Sequence, residues 1–272
     1  MKARVISVNN QKGGVGKTTT ALAMAAILTE QNKQVLLIDC DGSSTTLTKI
    51  LCQQAEVDYR QLAVTLTDLI LFKTLGRDAT AFADRAVIHC PESYDLLPAD
   101  NKLVSIAAAL ATQNDMEIRF KALAGLVDYY RRYYDYIILD AAPVLDLFAT
   151  NQLVAADELL IVSQCQKASR EAIHELVHTV DSFVHPINPN LQVKGILLTM
   201  LDKRAKYGKE QIREMREEFA DIHIFDAVIS RATEAERYVD SGHSIICQSP
   251  KGSVTQGYRE FMKEFLMERQ VK

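Results

Sequence analysis

Residues 9–20 read NNQKGGVGKTTT, and no other stretch limits the fold as much. The apolar run ARVISV ends just before it, and the helical-period segment TTTALAMAAILTEQNK follows at once. Glycine lets a backbone curl so that successive N–H groups converge on an anion, and a helix start adds the positive end of its dipole. Strand, glycine-rich turn and helix in that order predict a phosphate-binding loop. Its end, Gly16-Lys17-Thr18, is the ordinary one, with Lys17 for the β- and γ-phosphates and the Thr18 hydroxyl for Mg²⁺. Its beginning is not. Gln11 stands where the first glycine of the usual pattern belongs, and a second lysine, Lys12, comes next.

A loop of this kind sits on the edge of an α/β sheet. The runs ARVISV, QVLLID, YDLLPA, YDYIILD, ELLIVS, VKGILLT and AVIS alternate with helical segments such as NKLVSIAAALATQ, ASREAIHELVHTVDSFV and YGKEQIREMREEFA. Several of the runs are apolar on both faces, as strands covered by helices on both sides must be. The pattern predicts a doubly wound, mostly parallel sheet flanked by helices, an α/β fold. With 11 Gly and 6 Pro no flexible linker stands out, so residues 1–272 are expected to form one P-loop ATPase domain. Asp39 and Asp41 close one strand, in QVLLIDCDGSS, and Asp140 closes another, in YDYIILDAAP. Open α/β sheets bind ligands beyond the carboxyl ends of their strands. One aspartate there can be a helix cap, but three on two strands beside the loop predict a site for a metal and an attacking water.

Other classes are disfavoured. A net charge of −4 gives no global pull toward nucleic acid or membrane, so any such contact must be a local patch. No apolar run approaches the ~20 residues that span a bilayer, and MKARVISVNN is too short for a secretory leader. Five scattered cysteines, most in apolar runs, suit a reducing cytosol. A cytoplasmic protein without a membrane partner is expected. The HELVH run from His174 to His178 matches a zinc-hydrolase pattern but has no third ligand in view, so it is read as a solvated helix face. YYRRYYDY is read as a helix end, and the stripe Phe261, Met262, Phe265 and Leu266 as core packing, not a membrane anchor.

In NNQKGGVGKTTTALAMA, VLLIDCD, YDYIILDAAP, VKGILLTMLDKR and SPKGSVTQGYREFMKEFL, taken in order, the chain resembles the ParA/Soj family of deviant-Walker ATPases. Relatives of that family include MinD and the nitrogenase iron protein. The resemblance implies a Mg²⁺- and ATP-dependent ATPase that partitions plasmid or chromosomal DNA. ATP would lie on Lys12, Gly13, Gly14, Val15, Gly16, Lys17, Thr18 and Thr19, with Met200, Asp202, Ser230 and Arg231 near the base. Thr18, Asp39 and Asp140 would serve the metal, and Asp41 would position the attacking water. Lys12 would cross to the nucleotide of a second subunit in an ATP-sandwich homodimer. The resemblance further implies non-specific DNA binding through Lys203, Arg204, Lys206 and Arg237, nucleoid association, and a ParB-like partner that stimulates hydrolysis. No separate operator-binding domain is expected ahead of the first strand. The chain departs from the family at Gly42-Ser43-Ser44-Thr45, where Pro-Gln-Gly-Asn is usual, and at Ser230, where proline is usual. At Glu234 an arginine is reversed to an acid. Two other readings remain at this stage: a related ATPase that positions a protein cargo, and an Fe–S carrier of the iron-protein type.

Overall fold

The computed structural model describes residues 2–201, 206–231 and 242–267. In its first half β1 (Arg4–Asn9) leads through α1 (Lys17–Glu30) to β2 (Val35–Cys40). Then come α2 (Thr46–Gln54), α3 (Leu66–Thr74), α4 (Thr80–Ala86), a hairpin of β3 (Ile88–His89) and β4 (Asp95–Leu97), α5 (Ile106–Ala111) and α6 (Met116–Tyr130). The second half holds β5 (Tyr136–Ala141), α7 (Leu147–Ala155), β6 (Glu158–Ser163), α8 (Lys167–Thr179), β7 (Gln192–Leu201), α9 (Lys206–Glu218) and β8 (Ile224–Ser230). Two further described helices, α10 (Ile245–Gln248) and α11 (Ser253–Leu266), follow.

The strands form one sheet in the order β3-β4-β2-β5-β1-β6-β7-β8, parallel except for the β3–β4 pair. Every strand expected from the apolar runs is present. The short antiparallel β3 was not anticipated, and neither were α2, α3, α4 and α7. For α3 a cue was there: Thr65 and Asp68 form a capping box, in which the Thr65 amide donates to the Asp68 carboxylate at 2.9 Å.

The chain order explains where the site lies. From β1 the chain crosses over β5 to β2, and later returns to lay β6 on the other side of β1. The loop after β1 therefore opens between diverging connections, the switch point at which doubly wound sheets bind ligands. Side-chain alternation divides the core. Val5, Leu36, Ile38, Ile137 and Leu139 face α3 to α9, whereas Ile6, Val8, Leu37 and Ile138 face α1, α2, α10 and α11. Phe261, Met262 and Phe265 are buried in the second layer, with Phe225 edge-on to Phe261 at 4.9 Å between ring centroids. The C-terminal stripe is core, as its spacing implies. No described helix is long and apolar enough to cross a membrane.

Candidate functional site

The loop between β1 and α1 is held from below. Asn10 Nδ2 donates to the Val162 carbonyl at 2.8 Å, and the Thr199 hydroxyl donates to the Val15 carbonyl at 2.7 Å. Val15 is buried, so its part is to anchor the loop. Gly14 and Gly16 adopt left-handed backbone angles, φ 70° and 93°, which L side chains resist. A Cβ built on Gly13 or Gly14 would meet nothing within 4 Å, so the loop's upper surface is open to a ligand. Above it lies a cavity of about 380 Å³, within the range of small-molecule sites. Gly13, Gly14, Gly16, Lys17, Thr18 and Thr19 form its floor, and Asp41, Ser43, Ser44 and Thr46 one wall. Leu22, Ile50, Ala141, Pro143, Met200, His243 and Ile245 complete it.

The charged groups converge on this floor. Lys17 is buried and its ammonium donates to the Lys12 carbonyl at 3.1 Å. Burial pushes its pKa down, while Asp140 and Asp41 oppose that shift. Thr18 Oγ1 donates to Asp140 Oδ2 at 2.7 Å. Asp39 Oδ2 accepts from the Thr48 amide at 2.9 Å and the Thr48 hydroxyl at 2.7 Å, both at the start of α2. Burial raises the Asp39 carboxyl to about 6 against these hydrogen bonds. It raises Asp140 further, to about 8, with the charge of Asp39 next in importance. Asp140 Oδ1 is buried without a hydrogen-bond partner. A buried acidic oxygen with no donor, next to a hydroxyl and a second acid, is the oxygen-rich environment that suits Mg²⁺. The site residues present therefore fit that ion.

Asp41 lies outside this buried pair. Its Oδ1 accepts from the Ser43 amide at 2.9 Å and the Ser43 hydroxyl at 2.5 Å, and its Oδ2 from the Ser44 hydroxyl at 2.9 Å. These serines fill the positions where the chain departs from its relatives' pattern. Gly42 is explained by packing, since a Cβ there would lie 2.7 Å from Leu103 Cβ and 2.8 Å from the Val104 nitrogen. Proline does not fit this loop as it is folded. Lys12 does not point into the cavity. Its ammonium donates to Gln166 Oε1 at 2.7 Å and to the Ser169 hydroxyl at 3.2 Å, at the start of α8.

The other expected residues divide. Met200, at φ 56°, stands over the loop, with its Cε 3.9 Å from where a Gly16 Cβ would sit. Ser230 ends β8, Arg231 follows it, and neither lines the cavity; Ser230 Oγ instead lies 3.3 Å from Ser253 Oγ. Asp202, Lys203, Arg204, Glu234 and Arg237 fall outside the described residues, as does the side chain of Lys206. Further along the basic stretch, Arg216 pairs with Asp226, and Arg213 lies 3.6 Å from Glu217. The HELVH histidines are used structurally: His174 pairs with Glu218 at 2.9 Å, and His178 lies 3.4 Å from Ser182 Oγ. Ser43 and Ser44 stand out in the sequence only as a departure from the family pattern, and Pro143 lies unremarked in YDYIILDAAP. His243, Gln166 and Ser169 carried no local signal, because only the folded chain brings them to the loop.

Comparison with known proteins agrees with this geometry. A family model described as an AAA domain matches residues 3–193. The sporulation initiation inhibitor protein Soj of Bacillus subtilis is 31% identical over 261 residues, covering 96% of this chain and 97% of that protein. The chromosome partitioning protein ParA of Myxococcus xanthus is 32% identical over 265 residues, covering 96% of this chain and 88% of its own. Among solved structures, cobyrinic acid a,c-diamide synthase from Mycobacterium smegmatis, with bound ATP analog and magnesium, superimposes with a TM-score of 0.79. It is 27% identical and covers 96% of this chain and 93% of its own.

Proposed function

The chain belongs to the ParA/Soj family of P-loop ATPases, and from that membership we propose that it partitions DNA in an ATP-dependent cycle, acting as one domain over residues 1–272. It is an ATPase that uses ATP and Mg²⁺. The observation that carries the site assignment is the convergence of Lys17, Thr18, Asp39, Asp41 and Asp140 on one open glycine loop.

The chain's own groups divide the work. Loop N–H groups and the α1 dipole receive the phosphates, and Lys17 lays its charge on the β- and γ-phosphates. Thr18 and Asp140 would hold Mg²⁺, with Asp39 behind them, and the bound ion would supply positive charge against that of the phosphates. Asp41 orients the water that attacks the γ-phosphorus, releasing ADP and phosphate. To do so it exchanges part of its hydrogen bonding to Ser43 and Ser44 for the water. Lys12 leaves Gln166 and Ser169 to reach the nucleotide of a second copy, so that ATP joins two subunits. Lysine suits that task as a point charge on phosphate.

The dimer would bind DNA of any sequence on the nucleoid, and a ParB-like protein on the cargo DNA would stimulate hydrolysis and release it. Retention of duplexes of unrelated sequence is measured with no nucleotide, with ADP, and with ATP. Retention with ATP alone supports the reading. Equal or absent retention in all three would move the assignment to a relative that positions a protein cargo.

A further inference from the structure

Three side chains of metal-binding type converge from separate segments beside the nucleotide cavity. Glu92 comes from the turn joining β3 and β4, His243 from just before α10, and Cys247 from within α10. One ligand atom from each lies within 4.8 Å of the other two. We propose that Glu92, His243 and Cys247 form a binding site for a zinc-class divalent transition metal in the wall of the nucleotide cavity.

The geometry is near to what such an ion needs. Metal–ligand bonds of about 2.0–2.3 Å place neighbouring tetrahedral ligands roughly 3.3–3.8 Å apart. His243 Nδ1 is already 3.3 Å from Glu92 Oε1, so closing the site takes a contraction of about 1.5 Å at most. His243, just ahead of the Ser244 N-cap, and Cys247, within α10, lie four residues apart, so one short segment of chain carries both ligands.

The carboxylate is oriented in advance. Gln54 Nε2 at 2.8 Å and the Ser244 amide at 3.0 Å donate to Glu92 Oε1, and the Tyr94 hydroxyl donates to Oε2 at 3.2 Å. Neutral donors of this kind fix a ligand without cancelling its charge. A second carboxylate, Glu30, also acts on the Cys247 thiol and adds to the negative potential, although Arg259 grips it.

The donor set decides the ion. Nitrogen, sulfur and oxygen together suit zinc and its neighbours, whereas Mg²⁺ keeps to oxygen. This site is thus chemically distinct from the Thr18–Asp140 site. Cys247 is exposed, and the other four cysteines are buried, so an incoming soft metal meets one thiol. Because His243 also lines the nucleotide cavity, holding a metal would fix part of that cavity's wall to the β3–β4 turn.

Cobalt(II) is the probe, since its thiolate complexes absorb by charge transfer in the near ultraviolet and its oxygen-ligated complexes do not. It is titrated anaerobically into the nucleotide-free protein with Mg²⁺ in excess. The expected result is a charge-transfer band that saturates at one Co²⁺ per chain and is abolished by added Zn²⁺. Cys247→Ser should remove the band. His243→Ala and Glu92→Gln should weaken Co²⁺ binding by more than about tenfold, as losing even an outer-shell partner does. Absence of the band in the unmodified protein, or its persistence in Cys247→Ser, would overturn the proposal.

Discussion

Asp39 and Asp140 are register partners on the adjacent parallel strands β2 and β5, and both carboxyls are buried. Burial raises both carboxyls above the ordinary carboxylate range, and the charge of Asp39 adds to the shift of Asp140. A divalent cation at this site would favour the charged form of both acids.

These raised carboxyls set a pH dependence. An Asp raised above its unfolded pKa of about 3.9 makes the folded state bind more protons, so stability falls as pH rises through the window up to about 8. Asp140→Asn should remove much of that slope. At about pH 8 the variant, without nucleotide, should be more stable than the parent by about 2 kcal/mol, yet lose Mg²⁺-dependent ATPase activity. Thermal unfolding of both proteins from about pH 5 to about pH 8 is the check. A stability difference that stays constant across that range would show that Asp140 is not held protonated.

Asp41 should separate binding from chemistry. Asp41→Ala is expected to keep ATP binding while hydrolysis slows roughly 10²–10⁴-fold, the usual worth of a positioned proton acceptor. Ser44→Ala, which frees one Asp41 oxygen from a 2.9 Å hydrogen bond, should leave ATP affinity within a few-fold. Single-turnover hydrolysis read beside nucleotide titration decides it. Hydrolysis at the parent rate in Asp41→Ala would hand the water-orienting role to another residue.

Lys12 is held by two hydrogen bonds within its own chain, and these compete with any reach toward a second subunit. Lys12→Ala should bind ATP as a monomer. Removing both internal acceptors, in Gln166→Ala with Ser169→Ala, should instead favour the ATP-bound dimer by about 1 kcal/mol, or several-fold. Light scattering after size exclusion, with ATP in the slow Asp41→Ala background, measures both. A full dimer population in the Lys12→Ala protein would rule out the trans contact.

Arg204 and Glu234 carry the DNA question. Arg204→Ala should weaken ATP-dependent binding to unrelated duplexes alike and lower the salt slope by roughly 0.9 per lost phosphate contact. Glu234→Arg should strengthen binding, because it replaces repulsion from phosphate with attraction. Affinities across a salt series give both slopes. Unchanged affinity in both variants would place the DNA surface elsewhere.

The amino-acid sequence by itself determined every sheet strand but β3, the loop that follows β1, and the three strand-end aspartates. Each of these rests on local chemistry: apolar runs bounded by turns, glycines that permit φ 70° and 93°, and acids in the last two positions of a strand or just after it. Tertiary structure decided which groups meet. That Asp39 stands opposite Asp140 follows from strand order and register, and no spacing along the chain contains it. The same holds for Lys12 on Gln166, 154 residues away, and for His243 against Glu92, 151 residues away. Long-range contacts of this kind depend on the two layers of core, which fix the backbone and so determine which side chains lie within reach of one another.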